Sequence, residues 1–166
     1  MVKMFISRVR PILEYNCELW SPHYVTHIDW IESIQRTYTR RIDTLFELSY
    51  RDRLRYCNLE LLELRRLKRD LCLVYKIIHG LIDLHFNEFF EYVPHSRTRG
   101  HVYKLYPKHG STIRCLTSFA FRVVNPWNSL SSHVVESASI NIFKHKLNRI
   151  NEHLETFLSG RAIRNP

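Results

Sequence analysis

The chain has 166 residues, 45% of them hydrophobic, with 4 glycines and 6 prolines, a balance that supports a buried core and excludes both a disordered linker and a turn-rich β-protein. Its 25 Lys and Arg outnumber 16 Asp and Glu, and the net charge of +9 favours an anionic partner, either nucleic acid or a membrane surface. Cys17, Cys57, Cys72 and Cys115 form no C-x-x-C pair and read as reduced, mostly buried thiols of a soluble intracellular protein, nuclear or cytoplasmic.

The first segment, Met1 to Tyr15, carries Met4, Phe5, Val9, Ile12 and Leu13 on one helical face, with Pro11 as a disturbance. Its opening, Met1 to Arg8, is interrupted by charge too early for a signal peptide, and no run reaches the apolar length of a membrane span. Trp20-Ser21-Pro22 marks a loop, because the residue before a proline avoids the α region. A helix then starts at Thr26, with Asp29 answering as a variant capping box. Ile28, Ile31, Ile34 (or Gln35), Tyr38, Ile42 and Leu45 recur at helical spacing and predict its buried stripe. Ser49 with Asp52 opens a short helix through Tyr56. The longest helix runs from Glu60 to His79 on a seam of Leu64, Leu67, Leu71, Val74 and Ile78, and Gly80 stands where a left-handed terminator is wanted.

Beyond Val93 the pattern changes. Pro94 to Gly100 reads as an exposed basic loop. His101 to Tyr106 and Thr112 to Thr117 predict a β-hairpin across about 101–117. Ser118 to Asn128 returns to helix, broken by Pro126. A last helix, Ile140 to Leu158, buries Ile140, Phe143, Leu147, Ile150, Leu154 and Phe157 or Leu158. The fold class is therefore mainly α: a small helical bundle over 1–93, then a region over 94–166 of basic loop, hairpin and C-terminal helices packed on it.

No enzyme signature is present: there is no Gly-rich phosphate loop, no G-x-S-x-G and no H-E-x-x-H. Asp29, Asp43, Asp52, Asp70 and Asp83 are scattered, whereas two-metal phosphoryl transfer needs carboxylates that converge. His23 and His27 are spaced for one helix face, but spacing fixes no third ligand, and His95, His101 and His109 read as loop residues. The expectation is a chain with no catalytic, metal or cofactor site of its own. Trp20, two residues before Pro22, and Trp127, next to Pro126, read as core anchors at chain reversals.

The basic residues are grouped. Arg36, Arg40 and Arg41 lie opposite the isoleucine stripe. Arg51, Arg53 and Arg55 fall in one short helix, and Arg65, Arg66, Lys68 and Arg69 in the longest one. Arg97 and Arg99 flank a polar loop ahead of Lys104 and Lys108. Such a spread suits a phosphate backbone, with arginine forks offering paired contacts. Of these, Arg36, Arg40, Arg41, Arg51, Arg53, Lys68, Arg69, Arg97, Arg99 and Lys104 are the candidate nucleic-acid contacts.

The order of short motifs is informative. Val9-Arg10-Pro11-Ile12-Leu13-Glu14-Tyr15 precedes Leu19-Trp20-Ser21-Pro22, then Ile31-Glu32-Ser33-Ile34-Gln35-Arg36 with Thr39-Arg40-Arg41-Ile42. Tyr50-Arg51-Asp52-Arg53-Leu54, Leu64-Arg65-Arg66-Leu67 with Asp70-Leu71, and Val74-Tyr75-Lys76-Ile77-Ile78-His79-Gly80 follow. Ser96-Arg97-Thr98-Arg99-Gly100-His101, Arg122-Val123-Val124-Asn125 with Trp127-Asn128-Ser129-Leu130, and Phe143-Lys144 with Leu147 complete the series. From about Val9 to about Leu147 this series resembles the C-terminal, thumb-side region of LINE-type, jockey-like reverse transcriptases, the RNA-directed DNA polymerases of non-LTR retrotransposons. The resemblance implies that endonuclease, fingers and palm, with the paired catalytic aspartates, belong upstream of these residues. It implies a truncated product or partial gene model that has no zinc knuckle. The thumb-side region would grip a primer–template duplex, an RNA–DNA hybrid or RNA, by its backbone, through the arginines of the Gln35-Arg36 helix and the Arg97 to Arg99 loop. Two other expectations are a protein-docking module, using a face of Met4, Phe5, Val9 and Ile12 left by the palm, and a remnant without function.

Overall fold

The structure, a computed structural model, describes residues 1–93, 100–107 and 118–161. It is mainly helical with one small antiparallel sheet. The helices are α1 (Val2–Met4), α2 (Arg10–Glu14), α3 (Cys17–Trp20), α4 (Val25–Arg40), α5 (Tyr50–Cys57), α6 (Leu62–Ile78), α7 (Phe86–Phe89), α8 (Phe119–Asn128), α9 (Ser132–Val135), α10 (Ile140–Arg149) and α11 (Asn151–Arg161). Strands β1 (Phe90–Tyr92) and β2 (Leu105–Pro107) pair antiparallel, with Glu91 opposite Tyr106. Of the expected first hairpin strand, His101 to Tyr106, only Leu105 and Tyr106 are extended, within β2; Val102 and Tyr103 form a turn, and β2 pairs with a strand upstream of Pro94. The Thr112 to Thr117 strand lies outside the described residues.

The chain forms two compact units: Met1–Arg66 joined by its last residues from Leu158, and Leu67–Phe157. The division falls inside α6.

In the first unit, Pro11 sits in the first turn of α2, where its missing N–H is not needed. The preceding turn, Phe5–Val9, widens to π geometry and hands over to α2 through an Arg10 N–H to Phe5 carbonyl bond. Phe5 is fully buried, its ring 4.9 Å from that of Tyr38. Asn16 and Asn58 take the left-handed conformation, Asn16 entering α3 and Asn58 closing α5. Ser49 caps α5 by accepting the Asp52 amide at 3.2 Å, as its spacing predicts.

The buried face of α4 departs from the predicted isoleucine stripe. Of the predicted stripe, Gln35 and Leu45 are buried, while Ile28, Ile31, Tyr38 and Ile42 are only half-buried and Ile34 is exposed; Glu32 and Thr39 join Gln35 on the inner face of α4. The cause is a polar network. Glu32 accepts the Leu62 amide at 2.9 Å, so a side chain of α4 caps the first turn of α6. It also accepts the Tyr50 hydroxyl. Gln35 Nε2 donates to the Tyr50 hydroxyl and to the Glu60 carbonyl, each at 3.0 Å. Arg65 clamps the buried Glu14, with Nη2 to Oε2 at 3.1 Å. Arg66 is 1% exposed and its guanidinium has no hydrogen-bond partner among the described residues; the carboxylates of Glu63, Glu32 and Glu14 supply the compensating field.

The second unit is built on the seam Leu67, Leu71, Val74, all buried as predicted, with Gly80 in the left-handed region past the end of α6. Tyr75 stacks on Phe143 at 4.6 Å, and Trp127 is fully buried with its indole donating to the Tyr103 carbonyl at 2.8 Å. Pro126 does not break α8: it falls in the last turn, and the helix continues to Asn128. The expected long C-terminal helix is interrupted at Ile150 (φ −108°, ψ 28°), so α10 and α11 are separate; Ser139 caps α10 by accepting the Ile142 amide at 3.3 Å.

Candidate nucleic-acid interface

The basic residues divide by burial. In the first unit, Arg36 leaves α4 beside Tyr50, its guanidinium carbon 5.3 Å from the ring centroid, and pairs with Asp29 at 3.7 Å. Arg40 and Arg41 end the same helix, and Arg51 opens α5 next to Tyr50. All four are exposed. Among the described residues no ion pair engages Arg40, Arg41 or Arg51. The end of α4 and the start of α5 are held together from below by Arg53, which donates Nη1 to the Leu48 carbonyl at 2.6 Å and Nε to Thr39 Oγ1 at 3.3 Å.

Arg53 is itself only 6% exposed, so the structure uses this predicted contact as a brace and presents Arg40, Arg41 and Arg51 in its place. The physical reason is local: Leu48 lies where the chain leaves its last turn, and an arginine five residues on satisfies its carbonyl.

In the second unit, Lys68 is 8% exposed and donates Nζ to Asn148 Oδ1 at 2.9 Å. Burial takes it off the surface. Arg69 is exposed on α6, and Lys104 is half-buried, its carbonyl accepting the Val93 amide at 3.1 Å. Arg97 and Arg99 lie outside the described residues. Nothing in the sequence distinguished Arg53 and Lys68 from their exposed neighbours: a backbone carbonyl such as that of Leu48 leaves no mark in a side-chain pattern, and Thr39 and Asn148 are distant along the chain.

The tryptophans also divide. Trp127 is a core anchor, as expected, whereas Trp20 is half in solvent, its indole donating to the Tyr15 carbonyl at 2.6 Å. Of the apolar face proposed for docking, Phe5 is buried and Val9 half-buried, while Met4 and Ile12 are exposed.

His23 precedes α4 and His27 lies within it, so they do not share one helix face. Their rings instead flank Tyr24, at 4.0 and 5.7 Å. Burial and the neighbouring His27 hold the His23 imidazole below its ordinary pKa. Among the described residues no group of His, Cys, Asp and Glu is arranged to hold a metal ion, and no helix is long and apolar enough to cross a membrane.

Comparison with protein-family models, with curated proteins and with solved structures found no match.

Proposed function

We propose that the chain is the thumb-side region of a LINE-type, jockey-like reverse transcriptase. Its own activity is sequence-nonspecific binding of a nucleic-acid backbone, an RNA–DNA hybrid or RNA, without catalysis. One observation carries the binding role. Arg36, Arg40, Arg41 and Arg51 are exposed around the end of α4 and the start of α5, in a chain of net charge +9. Exposed guanidinium groups are available for phosphate oxygens, and each phosphate neutralised releases counterions. The collinear motifs support the origin of the chain. Many of their polar residues make contacts internal to one unit, Glu14, Glu32 and Gln35 within the first and Asp70, Arg122 and Asn128 within the second, which suits a fold signature.

Fluorescence anisotropy with an RNA–DNA hybrid at two salt concentrations tests the binding role. The expected result is affinity that falls steeply with salt. Changing Arg40, Arg41 and Arg51 to Gln should reduce the salt slope by about one for each phosphate no longer neutralised. Tight binding indifferent to salt, or no binding at low salt, overturns it.

A further inference from the structure

Trp30 is 65% exposed, the second residue of a tryptophan pair that the fold does not bury. A large aromatic side chain standing in solvent invites a partner. Its position is set from one side: the His27 ring lies 5.1 Å from the Trp30 ring, at 41°, and the His27 ring in turn meets Tyr24 edge-on at 5.7 Å. The Tyr24 ring rests 4.0 Å from that of His23. A row of three rings therefore leads up to the indole, which stands exposed at its end.

Helical spacing places Trp30, Ile34, Thr37 and Arg41 on one stripe of α4, with His27, Ser33 and Arg40 at its margins, and every one of these residues is exposed. The opposite face holds the buried Glu32, Gln35 and Thr39. Arg40 and Arg41 lie about 15 Å along the axis from Trp30, at about 1.5 Å per residue, which a few nucleotides of an extended strand span. Asp29, the carboxylate beside the indole, is turned about 100° around the helix and is paired with Arg36 at 3.7 Å.

We propose that this face of α4 is a track for single-stranded nucleic acid, in which Trp30, backed by His27, stacks on an unpaired base while Arg40 and Arg41 take phosphates farther along the strand. Aromatic rings accept any base by its π-face, and cationic side chains nearby hold the backbone. A duplex presents no free base to Trp30 and engages only the arginines. An aliphatic docking face would not need the charge at its end, whereas a polyanion with flat bases matches both halves. The inference rests on the nucleic-acid reading and adds to it a strand preference.

The test uses the whole chain, a single-stranded RNA, the same RNA in a hybrid duplex, and an abasic strand of equal length at one salt concentration. Trp30→Ala, which removes a solvent-facing side chain and should leave the helical circular-dichroism signal unchanged, is expected to weaken single-strand binding by about 5- to 150-fold, the range for one stacked base, and leave hybrid binding unchanged. Trp30→Phe should retain most of the single-strand affinity. The abasic strand should bind wild type and Trp30→Ala alike. Arg40→Gln with Arg41→Gln should weaken both strand types. If wild type binds the hybrid in a salt-dependent way but Trp30→Ala leaves the single strand untouched, the track is wrong and the backbone role stands. If Trp30→Ala instead abolishes self-association and leaves RNA affinity unchanged, the face is a protein interface and the proposal falls. Failure of the wild type to bind any of the three overturns both readings.

Discussion

Asp70 and Arg122, 52 positions apart, meet in a two-point contact inside the second unit, Nε to Oδ2 at 2.8 Å and Nη2 to Oδ1 at 3.0 Å. Both side chains are almost fully buried, and the guanidinium also lies 5.7 Å from the Phe119 ring centroid. Two planar groups in register satisfy each other at the cost of leaving water, so the pair specifies which helices face each other more than it adds net stability.

Asp70→Ala leaves a buried guanidinium without its carboxylate and is expected to destabilise the fold by about 3–5 kcal/mol. Replacing both partners, Asp70→Leu with Arg122→Met, removes both buried charges and should cost much less than the sum of the single changes. Urea unfolding of the three variants measures this. Additive losses would show that the two side chains act separately.

Glu32 carries the corresponding role in the first unit and gives it a pH dependence. Burial is the largest influence on its carboxyl and raises its pKa above the ordinary 4.5, against the opposing pull of the Tyr50 hydroxyl, the Leu62 amide, Arg66 and Arg36. The native state therefore holds the Glu32 proton to a higher pH than the unfolded chain does. The resulting stabilisation is fully present below 4.5 and is lost as pH rises through the native value. Glu32→Gln keeps the shape and has no such proton. Denaturant melts across mildly acidic pH should show the stability of wild type rising relative to Glu32→Gln as pH falls toward 4.5. A difference that stays level over that window would mean that burial does not govern this carboxyl.

These contacts mark the boundary of what was legible in the sequence. Local signals were readable: the α6 seam from Leu64 to Val74, the Ser49 cap and Gly80 in the left-handed region all depend on neighbours within a turn or two, although Ile78 at the end of that seam is only half-buried. The stripe of α4 was right at Gln35 and Leu45 but misled at its isoleucines, since helical spacing suggests their burial whereas Glu32 takes the inner face through Tyr50 and Leu62. Periodicity weighs hydrophobicity residue by residue and has no access to a partner 18 or 30 positions away. The same blindness made Arg53 and Lys68 resemble Arg40 and Arg51. It also hid Trp30, whose significance is exposure, a property that a residue acquires only once its helix has chosen an inner face.

Asn128 tests whether such distant polar contacts shape the sheet as well. Its side-chain amide treats β2 as a neighbouring strand would: Oδ1 accepts the Leu105 amide and Nδ2 donates to the Leu105 carbonyl, each at 2.9 Å. One side chain at the end of α8 thereby satisfies both backbone groups of a fully buried residue, on a strand of only 3 residues. Asn128→Ala leaves both without that partner and is expected to cost about 1–3 kcal/mol. Asn128→Asp should be no better, because a carboxylate still accepts the amide but opposes the carbonyl. Hydrogen exchange locates the effect: the Leu105 amide should lose protection in both variants well before amides in the middle of α6. Retained protection at Leu105 would show that pairing with Phe90–Tyr92 alone holds β2, and that the Asn128 clasp follows the sheet without supporting it.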